Sequence, residues 1–189
     1  VSEGQCAYIK TKNDVVSKNY VNDSTSTQST KVSEKPYNAF CFYYGNVLCP
    51  NVNISNNECY GNTALYFYPT SVTCCMSYNS IINNTANGHS GCIEFSNSAS
   101  SKRIDTCNII NSTQTSSNYG TIYTRGNLFI KDSCILGNNE GKIVFSAYPY
   151  NITISNCTID DDIFTNNRYY GRVTVNETIE RTFINALTH

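Results

Sequence analysis

Five hexapeptides of this chain share one frame: Asn38-Ala-Phe-Cys-Phe-Tyr, Thr63-Ala-Leu-Tyr-Phe-Tyr, Gly91-Cys-Ile-Glu-Phe-Ser, Gly120-Thr-Ile-Tyr-Thr-Arg and Gly141-Lys-Ile-Val-Phe-Ser. Gln5-Cys-Ala-Tyr-Ile-Lys is an earlier member. One column reads Ala7, Phe40, Leu65, Ile93, Ile122, Ile143, and two residues on comes Ile9, Phe42, Phe67, Phe95, Thr124, Phe145. The position between them varies: Tyr8, Cys41, Tyr66, Glu94, Tyr123, Val144. Alternation with period 2 describes a half-buried strand whose first and third residues face a core.

A second strand recurs in step with the first. Cys59, Ser80, Cys107, Cys134 and Cys157 form its leading column, followed two residues later by Gly61, Ile82, Ile109, Leu136 and Ile159. Asn84, Asn111, Asn138 and Asp161 come two further on and are expected to point inward. Between the strands lie turn-forming runs such as Ser96-Asn-Ser-Ala-Ser-Ser and Tyr148-Pro-Tyr-Asn. A repeat of about 21 to 29 residues with two or three short strands and no helical period fits one coil of a parallel β-helix. Leucine is too scarce for a leucine-rich repeat. A β-sandwich gives no reason for one residue type to recur once per repeat. In a solenoid each residue sits about 4.8 Å above its counterpart, so like stacks on like.

The expected architecture is therefore all-β: a single parallel β-helix of about five to seven coils. Residues 1–36 supply a first coil and a long polar stretch, Thr11 to Pro36, that is either a projecting loop or an N-terminal cover. Residues 37–162 form the regular coils, and 163–189 close the structure. In that tail Ile179, Phe183, Ala186 and Leu187 fall at helical spacing with Asn176 as a cap, so a short helix and an irregular last coil are both open.

Charge narrows the function. Formal net charge is −1 and the isoelectric point about 6.1, which excludes a strongly basic face for nucleic acid or anionic lipid. No apolar run reaches the length of about 18 residues that spans a bilayer. The chain starts at Val1 and is expected to be a processed product or a piece of a longer protein. Ten cysteines favour a secreted or surface setting. With no Cys-x-x-Cys pair and only His89 and His189 to add nitrogen, neither a metal nor a cofactor is expected.

The strand Gly91-Cys-Ile-Glu-Phe, followed by Cys107-Asn-Ile-Ile-Asn and the span from Cys134 to Asn138, resembles the right-handed parallel β-helix repeats of surface proteins. It is most similar to the large variable surface families of parasitic protists. It is more distantly similar to bacterial polymorphic outer-membrane proteins and autotransporter adhesins, whose Gly-Gly it lacks. The likeness covers residues 38–162 and lies in recurrence in phase, since each motif alone is short. Thr182-Phe-Ile-Asn-Ala-Leu-Thr-His also resembles the end of the β-helix in the protist families. The resemblance implies a right-handed fold and an extracellular, cell-surface location. Any membrane anchor would lie in a segment absent from this chain. It further implies an adhesin-like monomer meeting a host glycan or protein.

Polysaccharide-degrading enzymes also use this architecture, so catalytic groups matter. Glycoside hydrolysis needs two facing carboxylates. The repeated strand offers only Glu94, whose ordinary reading is a solvated outward residue, and Asp160-Asp-Asp reads as a turn. No Gly-x-Ser-x-Gly elbow supports a triad. The expectation is a protein without catalytic residues, with a β-helix carbohydrate-active enzyme and a passive stalk as alternatives. The candidate binding face is Tyr8, Tyr66, Tyr123 and Glu94: a ladder of outward aromatics stabilises adjacent strands, and also suits stacking on sugar or protein. The cysteine column admits buried free thiols or a bridge, Cys107–Cys134 or Cys134–Cys157. Parallel stacking makes the disulfide torsion awkward and favours thiols. Asn-x-Ser/Thr sequons stand at Asn22, Asn53, Asn83, Asn151, Asn156 and Asn176, the possible glycosylation positions. A further sequon, at Asn111, lies in the inward column and is expected to stay bare.

Overall fold

The computed structural model describes residues 7–9, 18–20, 25–26, 40–42, 46–56, 58–59, 65–67, 73–86, 92–96, 101–115, 119–138, 144–147, 149–160, 165–166 and 171–176. Among them the regular structure is all strand, with no helix. The strands form four sheets, and every pairing is parallel. Sheet I holds Ala7–Ile9, Phe40–Phe42, Leu65–Phe67, Ile93–Phe95, Ile122–Thr124, Phe145–Ala147 and Thr165–Asn166. Sheet II holds Lys18–Tyr20, Asn46–Pro50, Thr73–Ser77, Ser101–Asp105, Leu128–Lys131, Asn151–Ser155 and Arg172–Val175. Sheet III runs through Thr25–Ser26, Asn53–Ser55, Ser80–Ile82, Asn108–Ile110, Cys134–Leu136 and Thr158–Ile159. The small sheet IV is Glu58–Cys59, Thr85–Ala86 and Thr113–Gln114. Among the described residues the chain visits I, II and III in turn and then returns to I, passing through IV on three of the circuits, an order compatible with a parallel β-helix.

Stacked apolar columns make the core. Sheet III contributes Ile54, Ile81, Ile109 and Ile135, and sheet II contributes Met76, Ile104, Ile130 and Ile154. Each buried side chain of this size removes apolar surface worth about 1.5–3 kcal/mol. On sheet I, Phe42, Phe67 and Phe95 are in register, and the last two rings stack at 4.8 Å and 6°. One lysine joins a core column: Lys102 pairs with Cys74 on one side and Leu128 on the other and is 1 % exposed.

Two sharp corners bend each repeat. Between sheets II and III stand Asn51, Tyr78, Thr106, Asp132 and Asn156, with φ of 53, 55, 52, 52 and 55°. Between sheets III and IV stand Asn56, Asn83, Asn111 and Gly137, with φ of 57, 55, 49 and 64°. One left-handed residue turns the chain from one sheet into the next, and asparagine tolerates that region better than most. Corner N–H groups donate to the next repeat, as Asn83 does to Ile110 O at 2.9 Å and Thr106 to Lys131 O at 3.0 Å. Just inside several corners a polar residue joins the repeats. Asn79 accepts from the Val52 N–H and donates to Cys49 O, both at 2.8 Å. Asn138 accepts from the Ser112 N–H at 2.9 Å and donates to Ile109 O at 2.6 Å. Buried backbone groups are thereby satisfied where strand pairing stops.

The register departs from the sequence reading in four places, the first being Cys59, which pairs with Ala86 in sheet IV instead of standing in the column of Ser80. Cys134 pairs with Asn108, not Cys107, so Cys107 lies one residue back, where its N–H donates to Ser133 Oγ at 3.0 Å. A one-residue slip changes the face. It arises because Ile81-Ile82, Ile109-Ile110 and Ile135-Leu136 are apolar at both positions and hide the alternation. By the same slip Ser112, not Asn111, joins Asn84 and Asn138 inside, and Asn111 is exposed. In the last repeats Ile122 pairs with Phe145 rather than Ile143. The polar stretch from Thr11 to Pro36 contains two strands, Lys18–Tyr20 and Thr25–Ser26, and the tail contributes Thr165–Asn166 and Arg172–Val175. The helical spacing from Ile179 to Leu187 lies outside the described residues.

Candidate functional site

The outward column of sheet I brings Tyr66, Glu94 and Tyr123 into one register. Tyr8 pairs with Cys41, which pairs with Tyr66, in the same column, and its side chain lies outside the described set. Glu94 is not solvated as expected: it is 4 % exposed, and Tyr123 is 5 % exposed. The reason is lateral. Broad tyrosines stand one strand spacing away on either side of the carboxylate and cover its stem. Tyr119 adds an edge-on ring to Tyr123 at 5.2 Å and 84°. Tyr66 is half-buried.

Arg125 completes the cluster and carried no sequence signal of its own. Two residues past Tyr123, it lies on the same face of the strand. Its Nε donates to Tyr123 Oη at 3.1 Å, and its guanidinium carbon lies 5.9 Å from that ring's centroid. The side chain is exposed. The hydrogen bond to Tyr123 raises the Arg125 pKa above its ordinary value, with Tyr123, Glu94 and Tyr66 adding in the same direction. Burial pushes the Tyr123 hydroxyl up, against the pull of Arg125. The arrangement is a held guanidinium beside tyrosines, not an open aromatic platform.

The described cysteines do not form a reactive centre. Among the described residues seven are free thiols. Cys134 points away from the face that holds Cys107 and Cys157, so neither bridge considered from the sequence has the required geometry. Burial pushes the Cys49 and Cys107 thiols up to about 12 and raises Cys74, Cys75 and Cys157, which keeps them protonated and unreactive. No group of three metal-ligating side chains occurs among the described residues. Asp160 accepts from the Gly137 N–H at 2.7 Å, a corner role. His89, Asp161 and Asp162 lie outside the described residues.

The open face is on sheet II. Leu48, Cys75, Arg103, Phe129, Thr153 and Thr174 form one outward ladder. Phe129 is 51 % exposed and Leu48 38 %. Arg103 lies 3.7 Å from Asp105, and Lys131, also on this face, lies 3.2 Å from Asp132. Leu128-Phe129-Ile130 is apolar throughout, so composition hid Phe129; alternation within a known register would have turned it outward. Of the sequons, Asn83, Asn151 and Asn176 are exposed, Asn53 and Asn156 half-buried, and Asn22 lies outside the described residues.

Among the described residues no helix is long and apolar enough to cross a membrane. No family model, curated protein or solved structure matches the chain.

Proposed function

We propose that this chain is a single right-handed parallel β-helix acting as a non-catalytic, adhesin-like module at the cell surface, where it binds a host glycan or protein. The observation that carries this reading is the sheet II ladder, where Leu48, Arg103 and Phe129 stand exposed in register on a stacked sheet. Rigid presentation of an aromatic and an arginine lowers the ordering cost of binding, and both types are common binding hot spots. The tyrosine column contributes through Arg125 and Tyr66. The test is binding of the Arg103→Ala/Phe129→Ser variant to host cells and a glycan panel. A loss of about tenfold or more is expected. Unchanged binding by a folded variant would refute the face.

A second reading has one specific support, the placement of Glu94 in register with Tyr123, to which Arg125 is hydrogen-bonded. A β-helix carbohydrate-active enzyme would use such a pair, yet hydrolysis requires a second carboxylate. Release of reducing ends or unsaturated uronates from a polysaccharide panel, abolished by Glu94→Gln, would establish it. A passive stalk would show no ligand on either panel.

A further inference from the structure

The sequon Asn111-Ser112-Thr113 sits at the corner between sheets III and IV. Asn111 is exposed, with φ 49°, in the column of Asn56, Asn83 and Gly137. Its own backbone N–H donates to Leu136 O at 2.9 Å, and Ser112 turns inward to Asn138. The motif is therefore fixed by bonds that do not use the Asn111 side chain. That side chain lays its Oδ1 against Gly137, where an added Cβ would collide with it. Asn53 presents the opposite case: it lies within a sheet III strand, and its Oδ1 is buried without a hydrogen-bond partner.

We infer that Asn111 is an N-glycan attachment site, an inference that rests on the surface reading above. The donor class is an oligosaccharide linked through its anomeric carbon to a lipid diphosphate. The amide nitrogen forms the N–C1 bond and loses one proton. The C1–O bond breaks, and the diphosphate leaves with its electron pair. Transfer acts on the unfolded chain, so the fold does not control access. It decides whether a chain carrying the glycan can still stack its repeats. A corner side chain outside both ladders permits this, and a strand residue with a buried amide does not. Asn83 shares the corner one strand spacing away, about 4.8 Å. Its Nδ2 donates to Asn56 Oδ1 at 3.3 Å, a bond that a singly substituted amide keeps.

The test is secretion of the chain from a glycosylating eukaryotic host, as wild type, Asn83→Gln, Asn111→Gln and the double variant. Peptide N-glycosidase treatment followed by peptide mapping reads each site. Conversion of Asn111 to Asp on deglycosylation is expected in the wild type and in Asn83→Gln, with Asn53 unmodified in the folded protein. The Asn111→Gln variant should lose one glycan mass and fold with a slightly lower melting temperature, because glutamine tolerates the left-handed φ of 49° less well than asparagine. A bare Asn111 in both proteins would overturn the inference. A glycan at Asn111 in that host, with glycan-free chain from its own cells, would overturn the surface reading instead.

Discussion

At the scale of single residues, two positions carry a visible cost. Thr106 is β-branched and sits at φ 52°, where its neighbours along the corner include Asn and Asp. Its backbone N–H bond to Lys131 survives any replacement. Thr106→Asn should raise stability by about 1 kcal/mol, read as a higher denaturant midpoint at constant slope. Lys102 is the second. Desolvation lowers its pKa from the ordinary 10.5 to about 8, and Cys74 opposes that shift. Below about pH 8 the amine is protonated in both folded and unfolded chains, and the full cost of burying the charge is present. Between about pH 8 and 10.5 the unfolded chain holds the proton and the folded one does not, so stability rises with pH across that window. Lys102→Met should flatten this slope and stabilise the protein at pH 7 by a few kcal/mol. Equal slopes in the two proteins would show that the amine reaches solvent.

Among elements, the corners are held by polar ladders that apolar stacking cannot replace. Asn79 satisfies a buried N–H and a buried carbonyl from the preceding repeat. Asn79→Ala leaves both orphaned and should cost about 2–4 kcal/mol by chemical denaturation, whereas Asn83→Ala at the next corner should cost about 1 kcal/mol, chiefly because alanine tolerates its left-handed φ less well. The sheet III register makes a separate prediction. Since Cys107 and Cys134 lie on opposite faces, every described cysteine should take an alkylating reagent in denaturant without prior reduction. A cysteine labelled only after reduction would restore the register that the sequence suggested. That register failed for a physical reason. Cysteine is small and apolar enough for either face of a strand, and paired isoleucines removed the contrast that alternation needs.

For the molecule as a whole, the parallel stacking was legible because like residues occupy like positions, and phenylalanine is distinctive enough to set the frame at Phe42, Phe67 and Phe95. Sites were less legible. Glu94 reads as a surface carboxylate until Tyr66 and Tyr123 are placed beside it, and Arg125 gains meaning only through its bond to Tyr123. Both depend on neighbours a full repeat away, which a local pattern does not report. The two bends carry a further consequence. They fall at 51 and 56, 78 and 83, 106 and 111, 132 and 137, always the same distance apart, while the segments entering and leaving sheet I both vary in length. Insertions and deletions are thus confined to one flank, and the opposite flank acts as a ruler of fixed gauge. Descendants of such a chain could diversify their connecting loops freely without losing count of their rungs.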